Sequence, residues 1–182
     1  MDELVDILDS KGNPTGRTAL KSQAHKKGLF HPTVHVWFYT KNGEVLLQLR
    51  GKTKTTFPLL WDVSVAGHIG AGETIENAVL REVKEEIGLT IVQNELQKVG
   101  VFKSIQKHSK NLIDCEFHHC FISKLHVSVE QLKKQDSEVA SLDLVPLSIF
   151  SNEIENTKIK EKYVPHKLEY YKTIIKSIKK AM

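Results

Sequence analysis

The sequence predicts an α/β fold in which a mixed central sheet carries helices on both faces. Three observations predict it. Residues 34–40 (VHVWFYT) and 44–50 (EVLLQLR) flank Lys41-Asn42-Gly43, a hairpin built on an Asn-Gly turn. A glycine-rich loop then runs into one amphipathic helix, and further strand-like runs follow it. Residues 163–180 close the chain with Leu168, Tyr171, Ile175 and Ile178 at helical spacing. Strands before and after one helix, plus a terminal helix, imply the layered mixed sheet.

The 182 residues, 40% hydrophobic and 26% charged, fit a single globular domain spanning 1–182 that buries a core without staples. The net charge of +4 is mild, and much of it lies in Lys172, Lys176, Lys179 and Lys180. It permits an anionic small-molecule substrate and gives no strong nucleic-acid signal. Cys115 and Cys120 sit in one strand-like run on opposite faces, too far apart to bridge, which fits a reducing compartment. MDELVDILDS has neither the basic nor the apolar region of a secretory signal, and no apolar run is long enough to span a membrane. The expectation is a cytoplasmic protein, monomeric or homodimeric, with no membrane partner.

In chain order, residues 5–9 and the turn cluster Ser10 to Pro14 read as a short strand or hairpin, and residues 19–27 as two helical turns stopped by Gly28. After the 34–50 hairpin, residues 51–56 form a basic, hydroxyl-rich loop and 57–61 a bent, packed segment. Residues 62–69 read as one strand. Residues 97–104 and 112–123 read as two more, with 106–111 as their turn. Residues 127–138 read as a loop with a short helix, 142–145 as a last strand, and 147–150 as the opening of a helix.

The chemistry concentrates in residues 67–89, GHIGAGETIENAVLREVKEEIGL. Thr74 is a good N-cap, and Ile75, Ala78, Val79, Val83 and Ile87 form an apolar face. The opposite side carries Arg81, Glu82, Lys84, Glu85 and Glu86. Glu82, Glu85 and Glu86 stand at i, i+3 and i+4, so their carboxylates converge. Like charges repel there, and a helix C-terminus favours cations, so the patch is either a metal site or a solvated face offset by Arg81 and Lys84. Gly67, Gly70 and Gly72 before the N-cap allow close backbone approach and anion binding at the helix start.

Gly67, five residues, Glu73, seven residues, then Arg81-Glu82-Val83-Lys84-Glu85-Glu86-Ile87-Gly88-Leu89 resembles the Nudix hydrolase signature at all nine defined positions across 23 residues. The resemblance implies a Nudix-type α/β/α sandwich with a loop-helix-loop catalytic motif. It also implies Mg²⁺-dependent, or Mn²⁺-dependent, hydrolysis of a diphosphate linked to another moiety. Carried over, Glu82, Glu85 and Glu86 match the metal ligands, and Gly67 matches the position whose carbonyl often adds a ligand. Glu73 and Arg81 match the pair that braces loop to helix. Hard carboxylate oxygens suit Mg²⁺, and Glu85 or Glu86 is the first choice of base.

A second resemblance extends further. Leu8-Asp9, Gly12 to Gly16, Lys21, His25, His31, Trp61 and His68 look like isopentenyl-diphosphate isomerase, which has the same fold. It implies that Lys21, Arg50 and Lys54 bind the substrate diphosphate. It also places His25, His31, His68, Asp114 and Glu116 at or near a second metal site. The isomerase's catalytic cysteine is replaced by Ala66, and a methyl group moves no proton. With the hydrolase signature intact, the expectation is a pyrophosphohydrolase acting on a small nucleotide or related nucleoside or organic diphosphate. The isomerase and a non-catalytic nucleotide-binding regulatory module are the alternatives.

Several side chains keep two readings. His25, His31, His35 and His68 are packed or surface residues, or ligands. In residues 112–121, Asp114, Glu116, His118 and Cys120 share one face and Cys115, Phe117, His119 and Phe121 the other. If the first face looks into the site, Glu116 is an extra ligand or base; otherwise the run is an edge strand with a wet side. Glu138 lies where some Nudix enzymes place a base. Tyr163, Tyr170 and Tyr171 close a base pocket or pack on the sheet, packing being the default. Lys52 and Lys54 contact phosphate or are simply solvated.

Overall fold

A computed structural model describes residues 2–156 and 159–182. The expected mixed α/β architecture is present. A two-stranded antiparallel ribbon comes first, β1 (Leu4–Leu8) with β2 (Pro14–Leu20), followed by the short helix α1 (Lys21–Lys27). Gly28 ends α1 in the left-handed conformation, φ 60°. The main sheet contains β3 (His31–Tyr39), β4 (Glu44–Arg50), β5 (Trp61–Asp62), β6 (Val65–His68), β7 (Gln97–Ser109), β8 (Leu112–Lys124) and β9 (Val139–Pro146). Its path is β5-β4-β3-β8-β7, with β6 added on β3 and β9 on β4. Only β3 and β8 run parallel, from His31 opposite Glu116 to Tyr39 opposite Lys124; every other pair is antiparallel.

Helix α2 (Ile75–Ile87) covers one face of the sheet. The other is covered by α3 (Leu147–Ile154) and α5 (Leu168–Ala181), with the single-turn α4 (Ile159–Lys162) between them in sequence. Every residue of β3 is buried, as expected of a strand sandwiched between layers. Its side chains alternate. Val34, Val36 and Phe38 pack with Val79, Val83 and Ile87 of α2. Trp37 and Tyr39 pack with Tyr170, Tyr171, Ile174 and Ile178 of α5. Tyr170 and Tyr171 of α5 pack on the sheet as core residues rather than closing a base pocket.

The 34–50 hairpin forms, yet its strands share only the register pair Tyr39 and Val45 before they part. The single strand expected over residues 62–69 is accordingly two. β5 pairs with β4, and β6 pairs with β3. Ser64 sits where the chain crosses: its hydroxyl donates to the Leu46 carbonyl at 2.5 Å and accepts the Phe38 N–H at 2.9 Å. One side chain thus satisfies backbone groups on both diverging strands.

Other boundaries shift for physical reasons. β7 and β8 extend to Ser109 and Leu112, so the turn is tighter than the polar run 106–111 suggests. β8 is an interior strand, not an edge. Residues 163–167 are extended, with Tyr163 bridged to Trp61, and α5 starts only at Leu168. Leu168 stays 45% exposed, while Ile174 is fully buried in the stripe. Among the described residues no helix is long and apolar enough to cross a membrane.

Ile174→Ala should therefore destabilise the fold by about 2–5 kcal/mol. Leu168→Ala should change stability by less than about 0.5 kcal/mol. Urea unfolding followed by circular dichroism checks both, and equal effects would contradict the packing of α5.

Candidate active site

The α2 N-cap forms as its residue types require, the Thr74 hydroxyl accepting the Asn77 N–H at 3.3 Å. Gly88, φ 69°, ends the helix. The helical wheel alone misplaces two carboxylates. Glu82 and Glu86 are buried on the sheet-facing flank of α2, and only Glu85 is half exposed. Glu86 accepts from Gln48 Nε2 at 3.1 Å and from the Ala66 N–H at 3.2 Å. Burial, reinforced by Glu82, pushes its carboxyl up to about 8. Burial also raises the Glu82 carboxyl, against the pull of Arg81.

Gly67 has to be glycine for a steric reason: a Cβ there would lie 1.9 Å from Glu82 Cδ. Arg81 binds the loop to the helix. Its Nε and Nη2 donate to the two oxygens of Glu73 at 3.0 and 2.9 Å, and Nη2 also reaches the His68 carbonyl at 2.9 Å. Nη1 reaches Glu82 at 2.7 Å and Glu85 at 3.2 Å. Glu73 in turn accepts the Gly70 N–H at 2.9 Å.

A histidine cluster lies beside this motif. His25 comes from α1, His31 from β3, His68 from β6 and Glu116 from β8. One ligand atom from each converges with the others within 4.8 Å, and among the described residues this is the only such group. His25 Nε2 lies 3.2 Å from His31 Nε2 and 3.4 Å from His68 Nε2. Glu116 Oε1 is 3.5, 3.7 and 3.9 Å from His31, His68 and His25. Two donors on one tetrahedral cation, each at about 2.0–2.1 Å, stand about 3.3 Å apart, so the spacing suits a cation. Asp114 stands behind the group, 3.8 Å from His25 Nδ1 and 2.9 Å from His108 Nε2.

Both centres open into one cleft of about 750 Å³. Lys21, Arg50 and Lys54 line it as well, each already engaged. Lys21 pairs with Glu3 at 3.3 Å, Lys54 with Glu138, and Arg50 with Asp62 at 3.0 Å and the Thr56 carbonyl. Glu138 thus lies on the cleft wall, bonded to a lysine. Sequence reasoning missed Asp62, Thr33 and His166 as members of this wall, and Gln48 as the partner behind Glu86. Their only signal is tertiary, since strand register and the extended 163–167 segment bring them in.

A family model described as "NUDIX domain" matches residues 29–167. The chain belongs to the Nudix hydrolase family. A Clostridium acetobutylicum protein named as an uncharacterized Nudix hydrolase is 33% identical, with 97% of each chain covered. A Photorhabdus laumondii protein named isopentenyl-diphosphate Delta-isomerase 2 is 36% identical over 68% of each chain. A Deinococcus radiodurans crystal structure shares the fold with a TM-score of 0.67 at 18% identity, covering 84% of this chain and 88% of that one.

Nudix enzymes generally use divalent metals, and the residues here fit such ions. Glu82 and Glu86 are carboxylates buried with less positive charge than they carry negative, with a bare glycine backbone beside them. The histidine group offers three imidazoles and a carboxylate at ligand spacing. Burial alone would raise the Glu116 carboxyl, but the hydrogen bond from His31 holds it well below its usual range. Burial keeps His68 largely neutral, as a metal ligand requires.

Asp62 anchors the cleft wall of this Nudix fold. One oxygen takes the Val63 N–H at 2.8 Å and lies 3.1 Å from His166 Nε2, while the other takes Arg50. Burial would raise its carboxyl, yet His166 and Arg50 outweigh burial and hold it far below the usual range. A depressed carboxylate stabilises the fold above its unfolded-state value and loses that contribution as pH falls toward its folded-state value. Asp62→Asn should therefore cost about 3 kcal/mol at neutral pH. The difference from wild type should persist down to about pH 4 and narrow only below it. Urea unfolding across pH checks this; narrowing already between about pH 8 and 6 would refute it.

Proposed function

We propose that this protein is a Mg²⁺-dependent pyrophosphohydrolase, with Mn²⁺ as a working substitute, that cleaves a diphosphate linkage in a small nucleotide or related nucleoside or organic diphosphate. The observation that carries the reading is the pair of buried carboxylates, Glu82 and Glu86, set against the bare Gly67 backbone at the edge of a cleft with three cationic side chains. Glu82, Glu85, Glu86 and the Gly67 carbonyl would hold the hard cation. When bound, such an ion supplies Lewis acidity and lowers the pKa of water. Lys21, Arg50 and Lys54 bind the diphosphate oxygens, exchanging their present carboxylate and carbonyl partners for phosphate. Glu73 and Arg81 fix the loop. Glu85 or Glu86 takes the proton of the attacking water, with Glu116 as the third carboxylate in reach of the cleft.

His25, His31, His68 and Glu116 would hold a second cation, and their nitrogen-rich donors favour a transition metal such as Zn²⁺ over Mg²⁺. The likeness to named isomerases supplies a second reading of the reaction. Ala66 argues against it, because its methyl stands where the acid-base cysteine would be required.

The test is a panel of nucleoside di- and triphosphates, nucleotide sugars, dinucleotides and prenyl diphosphates, with Mg²⁺ or Mn²⁺ restored to stripped protein. Phosphate, pyrophosphate or nucleotide release is expected, and Glu85→Gln and Glu86→Gln should each lower turnover by about 100-fold or more while melting like wild type. Full activity in both variants overturns the assignment. Dimethylallyl diphosphate formed from isopentenyl diphosphate would favour the isomerase. Tight binding with no product from any compound would make the protein a recognition module.

A further inference from the structure

Gln48 is a polar side chain at the end of an apolar run. β4 buries Val45, Leu46, Leu47 and Gln48 in succession, and strand parity puts Gln48 with Leu46 on the face that α2 covers. The glutamine is 3% exposed and stands behind the cleft lining rather than in it. A polar group is buried at such a position only with a partner. Its Nε2 has one, Glu86 Oε2 at 3.1 Å, and among the described residues its side chain makes no other hydrogen bond.

The Ala66 N–H donates to the same oxygen at 3.2 Å. Glu86 is therefore two-sided, with both donors on Oε2. Its neighbours repeat the pattern. Arg81 Nη1 occupies Glu82 Oε1 at 2.7 Å and Glu85 Oε2 at 3.2 Å. Among the described residues no hydrogen bond reaches Glu82 Oε2, Glu85 Oε1 or Glu86 Oε1, and all three glutamates line the cleft. The helix thus offers one unoccupied oxygen from each carboxylate rather than three chelating pairs. A cation responds to that difference. Mg²⁺ demands a near-ideal octahedron, takes few protein ligands and keeps several waters. Ca²⁺ is larger, takes about 6–8 oxygens and accepts both oxygens of one carboxylate.

We propose that Gln48 is a positioning residue for the cation site: with the Ala66 N–H it holds Glu86 Oε2, makes Glu86 a one-oxygen ligand, and so biases the site toward a small octahedral ion and against Ca²⁺. This rests on the reading of Glu82, Glu85 and Glu86 as cation ligands. Mg²⁺ and Ca²⁺ are titrated separately, by calorimetry, into the metal-stripped full-length protein, and Glu85→Gln identifies the heat that belongs to this site. Gln48→Met keeps the length of the side chain and removes the donor.

Gln48→Met should weaken Mg²⁺ binding by about 10-fold or more. Ca²⁺ binding should weaken less, so that the ratio of the two dissociation constants moves toward Ca²⁺ by about 5-fold or more. A merely structural glutamine would lower the melting temperature and leave that ratio alone. An unchanged ratio, or a shift toward Mg²⁺, overturns the inference and leaves the cation reading standing. If Gln48→Met does not fold, the infrared difference spectrum of Mg²⁺-loaded wild type carries the test, with Glu86→Gln assigning the carboxylate bands. One-oxygen ligation widens the splitting between the antisymmetric and symmetric stretches relative to the free carboxylate, and two-oxygen ligation narrows it. A narrowed splitting overturns the inference. Heat that Glu85→Gln leaves untouched, or no binding of either ion, removes the cation reading and the inference with it.

Discussion

Arg81 uses all five of its N–H donors, on both oxygens of Glu73, the His68 carbonyl, Glu82 and Glu85. The rest of the site depends on this fork. Glu73 sits in the loop, Glu82 and Glu85 sit on α2, and His68 ends β6, so one planar cation fixes the relative position of strand, loop and helix. It also offsets part of the repulsion among carboxylates that would otherwise resist packing at this end of α2. Gly67 completes the fit, because the helix approaches the strand too closely for any side chain there. A lysine at position 81 would keep the charge and lose the fork, and the loop would no longer be held from three sides.

The motif itself was legible in the chain. Loop glycines, N-cap, apolar stripe and carboxylate spacing are all local, and they appear where the pattern puts them. The burial of Glu82 and Glu86 was not legible. A helical wheel separates apolar from polar residues, and here a polar flank faces the sheet because β6 presents Gly67 and an Ala66 N–H that donates to Glu86. The histidine cluster was legible through the isomerase resemblance, which names His25, His31, His68 and Glu116, and only half legible from the residues themselves. Strand parity puts Glu116 and His118 on one face, but only the parallel register of β3 against β8 sets His31 opposite Glu116. That register is a long-range property which no window of sequence carries.

The same limit explains the strand that became two. Residues 62–69 read as one apolar run, and nothing local shows that β3 and β4 part after a single register pair. Once they part, the gap must be bridged without orphaned backbone groups, and Ser64 does so for Phe38 and Leu46 at once. The split also shapes the cleft. β5 delivers Asp62 beside Arg50, β6 delivers Ala66 and His68 beside β3, and the space between them becomes the floor on which His166 can settle.

Asp62 makes the two halves of that cleft interdependent. One oxygen holds Arg50, the residue proposed above to bind phosphate, and the other meets His166 on the opposite side of the cleft. A buried carboxylate of this kind is poor evidence of stability gained, because desolvation consumes most of the attraction. Its value is geometric. It sets where the guanidinium and the imidazole stand relative to each other, and hence the spacing of these two cleft-wall groups. The sheet makes this possible by letting one face run from tryptophan and tyrosine under α5 to threonine and histidine in the cleft. Hydrophobic burial at one end of β3 thus holds in register the polar groups at the other, where His31 stands opposite Glu116 and Thr33 opposite His118.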